Sequence, residues 1–118
     1  MNKDLDHKEL LCVFIVMKVI ITESQKNRTI IKWLNSEYGD LTPYEIEEHP
    51  NQIFFMKDEK VLFNYNKKPK TVGISYDKIW SFLEYFFGLE YEEIQDITKE
   101  WVEEHYKLEV TSSDKNYW

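Results

Sequence analysis

The chain has 118 residues, 15 Lys+Arg against 22 Asp+Glu, a formal net charge of −7 and 42% apolar residues. That is one domain's length with enough apolar mass for a core, which argues against disorder. The acidity argues against general nucleic-acid binding, which needs a cationic footprint, and the single cysteine, Cys12, excludes an intramolecular disulfide and a cysteine-based zinc cluster.

Residues 10–21 form an apolar run interrupted only by Lys18. The run is short for a membrane helix, which takes about 20 residues. The segment before it mixes Lys3 and Lys8 with Asp4, Asp6 and Glu9, unlike a signal peptide. Divided at Met17, the run yields a strand over 17–21, rich in β-branched residues, followed by Thr22 and Gln25 in capping-box spacing. Residues 1–16 then read as an N-terminal appendage, 17–108 as a single α+β domain and 109–118, which has no periodicity, as a flexible tail.

A helix is predicted over 22–37. Ile30, Ile31, Leu34 and Tyr38 lie near one stripe, Trp33 flanks it, and Gly39 closes it. Residues 40–51, with Pro43 and Pro50, read as a polar connection. Alternation over 52–76 predicts a three-stranded meander, 52–57, 60–66 and 71–76, with turns at Asp58-Glu59 and at 67–70. One face would hold Ile53, Phe55, Val61, Phe63, Tyr65, Val72, Ile74 and Tyr76. The other would hold Phe54, Met56, Leu62, Asn64, Thr71, Gly73 and Ser75. Asp77 reads as the N-cap of a helix through Phe87, with Ile79, Phe82, Leu83, Phe86 and Phe87 buried and Gly88 as its stop. A last helix over 90–107 carries one continuous face of Tyr91, Ile94, Ile97, Trp101, His105 and Leu108.

The expected fold class is α+β: a small antiparallel sheet, with residues 17–21 as a candidate fourth strand, on about three helices in the order β-α-β-β-β-α-α. The run Met17-Lys18-Val19-Ile20-Ile21-Thr22-Glu23-Ser24-Gln25 resembles the opening of small uncharacterised proteins of tailed phages and large DNA viruses. The stretch Tyr76-Asp77-Lys78-Ile79-Trp80-Ser81-Phe82 and the 101–108 end are similar. The resemblance spans 17–108 and implies a viral origin, with the host cytoplasm or the virion as the place of action. It carries no activity over.

Charge is segmented. Residues 40–59 hold one basic and six acidic groups, 60–76 four lysines and no acid, and 77–109 three basic and ten acidic groups. Glu93, Asp96, Glu100, Glu103 and Glu104 form an acidic stripe opposite the Trp101 face. On a solvated helix such a stripe does no acid–base work, but it can meet a basic partner. Lys67, Lys68 and Lys70 share a turn, where they solubilise and blunt strand pairing. Glu48, His49, Glu104 and His105 are the weak candidates for a metal-assisted hydrolase, although no two histidines have ligand spacing. No glycine-rich phosphate loop or nucleophile elbow is present, and Cys12 sits in an apolar run where a thiol is not activated.

No cofactor and no catalytic residue is therefore assigned. The leading expectation is a non-enzymatic protein-interaction or assembly module. Its partner would be another protein or a second copy, met through Phe54, Met56, Leu62 and the terminal Trp118, with the acidic helix orienting it. The alternative is an acidic decoy for a basic, nucleic-acid-binding groove.

Overall fold

The computed structural model describes residues 23–117. The expectations for the appendage, the 17–21 strand, the Thr22 cap, Cys12 and Trp118 lie outside the described residues. In chain order come α1 (Glu23–Tyr38), β1 (Thr42–Tyr44), β2 (Gln52–Lys57), β3 (Lys60–Asn66) and β4 (Thr71–Ser75). A π-helical turn (Tyr76–Trp80) then runs into α2 (Ser81–Tyr85), and α3 (Tyr91–Tyr106) and β5 (Ser112–Asn116) follow. The class is α+β, with a five-stranded sheet in the order β1-β2-β3-β4-β5. The first three pairings are antiparallel, and β5 joins β4 in parallel.

Two of these strands were not in the sequence reading. β1 arises within the 40–51 connection, where Thr42, Pro43 and Tyr44 pair with Met56, Phe55 and Phe54. Proline cannot donate to a ladder, so such a strand belongs at a sheet edge, which is where β1 lies. β5 replaces the expected loose tail over 112–116. Its anchors are polar: Ser113 Oγ lies 2.7 Å from Thr98 Oγ1 and donates to the Gln95 carbonyl at 2.8 Å, and Gln95 Nε2 donates to the Ser113 carbonyl at 3.1 Å. Ahead of the strand, the Thr111 N–H donates to the Lys70 carbonyl at 2.8 Å. Hydrogen bonds to buried groups, not apolar alternation, hold this edge.

The β2–β3 hairpin turns through Asp58 and Glu59, both at positive φ (52° and 64°), as a two-residue hairpin in a twisted sheet requires. Just beyond the turn the register shifts. Phe55 pairs with Phe63 but Met56 pairs with Val61, so Leu62 is an extra residue in β3, a β-bulge. The bulge corrects the predicted faces. Val61 moves to the side of Met56, opposite the core face. Leu62 turns inward, 3% exposed, and joins the core beside Tyr38.

The three α-helices of the described residues gather on one side of the sheet. Tyr106 of α3 meets Phe55 and Phe63 edge-on at 5.1 and 5.3 Å, and Trp101 meets Phe63 at 5.7 Å. Ile30, Leu34 and Trp33 bury the inner stripe of α1, whose Asn35 Oδ1 accepts from Trp101 Nε1 at 2.9 Å. Phe82 stacks on Trp33 at 4.3 Å. The cap ahead of α2 is Ser75, not Asp77: Ser75 Oγ accepts from the Lys78 N–H at 3.3 Å. The chain then enters a π-turn that buries Ile79 and Trp80. Phe86, expected inside, is 50% exposed and stacks on Phe82. α3 opens with a capping box, the Glu90 N–H donating to Glu93 Oε1 at 2.9 Å. It ends at Lys107, whose left-handed φ of 58° occupies a position that more often takes glycine.

Candidate functional site

Strand register decides which side chains share the face without helices, because paired residues point to the same side. The row Tyr44, Phe54, Asn64, Gly73 crosses β1 to β4, and the row Thr42, Met56, Val61 lies beside it. Among the described residues no helix packs on this side. Phe54, Met56 and Val61 are half-buried, and Tyr44 is 55% exposed. The apolar residues thus cluster at the β1–β3 end. His49, from the connection between β1 and β2, meets Phe54 edge-on at 6.4 Å. Toward β5 the face turns polar. Asn64 Nδ2 donates to Gln52 Oε1 at 3.3 Å, and its buried Oδ1 has no partner among the described residues. A side chain at Gly73 would collide with Asn64 and crowd Asn116, which is why glycine suits that position.

The expected contact set is therefore divided. Phe54 and Met56 stay together on the helix-free face, joined by Tyr44 and Val61. Leu62 leaves it for the core, and Trp118 lies outside the described residues. Tyr44 was missed because its connection gave no alternation. Val61 was missed because Val61-Leu62-Phe63 is apolar in both phases, so nothing in the composition marks a bulge.

The acidic stripe is also divided. Glu93, Asp96 and Glu100 line, with Asn27 and Ile97, a groove of about 220 Å³ between α1 and α3. Glu93 is paired to Lys26 at 3.7 Å. Asp96, Glu100 and Glu104 are exposed and make no ion pair among the described residues. Glu103 does not belong with them. Its carboxylate takes Lys99 Nζ at 3.0 Å and the Val110 N–H at 3.3 Å, and these donors hold it below the ordinary carboxylate value.

The other candidates are absorbed by structure. Lys67 pairs with Glu45 at 2.7 Å and Lys70 with Glu109 at 2.6 Å, which ties two of the three turn lysines to carboxylates of neighbouring segments. His105 Nε2 lies 2.7 Å from the Gly39 carbonyl oxygen, tying α3 to the end of α1. Among the described residues no three His, Cys, Asp or Glu side chains converge as metal ligands, and no helix is long and apolar enough to cross a membrane.

A second cluster was not legible in the sequence. The rings of Tyr76, Tyr91 and Tyr117 surround the Lys115 ammonium, at 5.7, 5.5 and 5.8 Å from their centroids. Tyr76 and Tyr117 lie 4.8 Å apart, and Trp80 backs Tyr91 at 5.2 Å. Hydrogen bonding to Tyr85, then burial, pushes the Tyr76 phenol up to about 12. The Tyr91 hydroxyl donates to the Asp114 carboxylate, which raises its pKa. The four residues come from the π-turn, α3, β5 and the residue just past it, so only the fold brings them together.

Comparison with family models, with curated proteins and with solved structures finds no match. The functional reading therefore rests on this geometry.

Proposed function

We propose that the chain is a non-enzymatic protein-interaction or assembly module whose contact surface is the β1–β3 end of the sheet face on which, among the described residues, no helix packs. One observation carries the reading: the helices of the described residues gather on one side of the sheet, while Tyr44, Phe54, Met56 and Val61 cluster on the other. An apolar cluster with a polar surround is the usual anatomy of a protein contact. The surround here is acidic, since Glu47 and Glu48 are exposed in the connection beside it. That charge favours a partner with a basic rim over a second copy, which would bring like charges together.

Affinity capture from the native source tests this, comparing the wild-type chain with a Phe54→Ser/Met56→Ser variant. The expected result is a protein with a basic surface that the wild type retains and the variant loses, while the variant still melts cooperatively. Equal retention by both chains overturns the reading. A concentration-dependent dimer in light scattering that the double variant abolishes would overturn the choice of partner.

A second reading, the acidic decoy, draws on the exposed, unpaired Asp96, Glu100 and Glu104. Reversal of Glu93, Glu100 and Glu104 to Lys should then abolish capture while Phe54→Ser leaves it intact, the opposite pattern to the first reading.

A further inference from the structure

We infer that Tyr76, Tyr91 and Tyr117 form an aromatic cage for a methylated ammonium group, held closed by the chain's own Lys115. The three ring centroids lie 5.5 to 5.8 Å from Lys115 Nζ, within the distance at which a ring face attracts a cation. Asp114 is the adjacent residue, yet Lys115 makes no ion pair among the described residues; its ammonium is held by rings.

The walls are set before any ligand arrives. Tyr91 is fixed by Asp114 and backed by Trp80, and Tyr117 lies against Tyr76. Solvent reaches the site, since Tyr91 and Tyr117 are exposed and Lys115 is half-buried. The Asp114 carboxylate, which takes the Tyr91 hydroxyl, places a negative charge beside the rings, so the surroundings favour a cation.

A primary ammonium is compact and strongly hydrated, so it gains least from leaving water for a ring face. Methyl groups weaken that hydration and add apolar contact with the rings, while the charge remains. The resident lysine is thus a weak occupant that a methylated ammonium can replace. Its presence lowers apparent affinity by the fraction of time the cage is filled.

The test uses the full chain and its Lys115→Ala variant, which keeps the backbone pairing of residue 115 with Ile74. Tetramethylammonium chloride is titrated while the tyrosine ring resonances are followed by NMR. The expected result is a saturable shift of all three rings, at a concentration about tenfold lower in Lys115→Ala than in wild type. It should disappear when Tyr117→Ala is added. tert-Butyl alcohol, of similar shape without charge, should give no saturable shift. Absence of saturation in folded Lys115→Ala, or an equal response to the alcohol, overturns the cage.

Choline and a trimethyl-lysine peptide then separate the sources. Tighter binding of the peptide assigns the group to a modified protein, tighter or equal binding of choline assigns it to a small molecule, and binding of neither overturns the proposal. Should Lys115→Ala not fold, the wild type is reductively dimethylated with ¹³C-formaldehyde. The Lys115 signal, identified by its loss in Lys115→Arg, should lie upfield of the other dimethyl-lysines through ring currents. An unshifted signal also overturns it.

Discussion

The two faces of the sheet are built from the same strands and nearly the same residue types, yet they end in different physical states. On the helix side Phe55 and Phe63 stack at 4.3 Å under Trp101 and Tyr106, and Phe63 and Trp101 are fully buried. On the other side Phe54, Met56 and Val61 stop half-buried, around an Asn64 whose buried Oδ1 has no partner among the described residues. The difference lies in what covers the strands, because hydrophobic stabilisation follows the area removed from water. One inserted residue, Leu62, moves a large side chain from the second face to the first.

The strongest way to break this contrast is to cut into the covered face. Phe63→Ala should cost about 3–5 kcal/mol in chemical denaturation, enough to threaten a marginal domain. Leu62→Ala distinguishes a bulge from plain alternation. A buried leucine predicts a loss of about 2–4 kcal/mol, whereas an exposed one predicts under about 0.5 kcal/mol. Met56→Ala, on the half-buried side, should fall clearly below Leu62→Ala in the same assay; an equal loss would mean that the two faces are equivalent.

A smaller effect tests the polar seam between α3 and β5. Thr98→Val removes a hydroxyl that lies 2.7 Å from Ser113 Oγ. It should cost about 1–2 kcal/mol and speed amide exchange in β5 before the other strands.

The smallest effect concerns pH. The folded pKa of Glu103 is depressed by Lys99 and the Val110 N–H. Its contribution is therefore present above the ordinary value of 4.5 and is lost as pH falls through the folded value. Glu103→Gln should flatten the fall in melting temperature on acidification below pH 4.5, with little change in the unfolding midpoint's response to pH above it.

How much of this was legible depends on which force built each part. β2, β3 and both long helices were readable because apolar periodicity acts locally: alternating runs on either side of Asp58-Glu59, and Leu34 and Ile30 on one stripe. β5 was not, because Ser-Ser-Asp-Lys-Asn shows no alternation and is held by Thr98 and Gln95 from a distant helix. β1 was hidden by Pro43, which usually argues against a strand. On the side of the sheet away from the described helices, the pairing of Phe54 with Met56 on one face was legible and the Leu62 bulge was not. The tyrosine cluster was invisible, since Tyr76 lies in the π-turn, Tyr91 in α3 and Tyr117 just past β5.

The parallel β4–β5 seam also has a meaning in time. The β2–β3 hairpin closes over two residues, so its ends meet quickly, on the order of microseconds. β5 cannot dock on β4 until the π-turn, α2 and α3 between them have found their places. β5 brings only polar and charged side chains, Ser-Ser-Asp-Lys-Asn, to that seam, so polar bonds rather than apolar packing hold it. Lys115 and Tyr117 ride at that seam, so the lifetime of the tyrosine cluster is set by how often one strand lets go, a clock that hydrogen exchange can read.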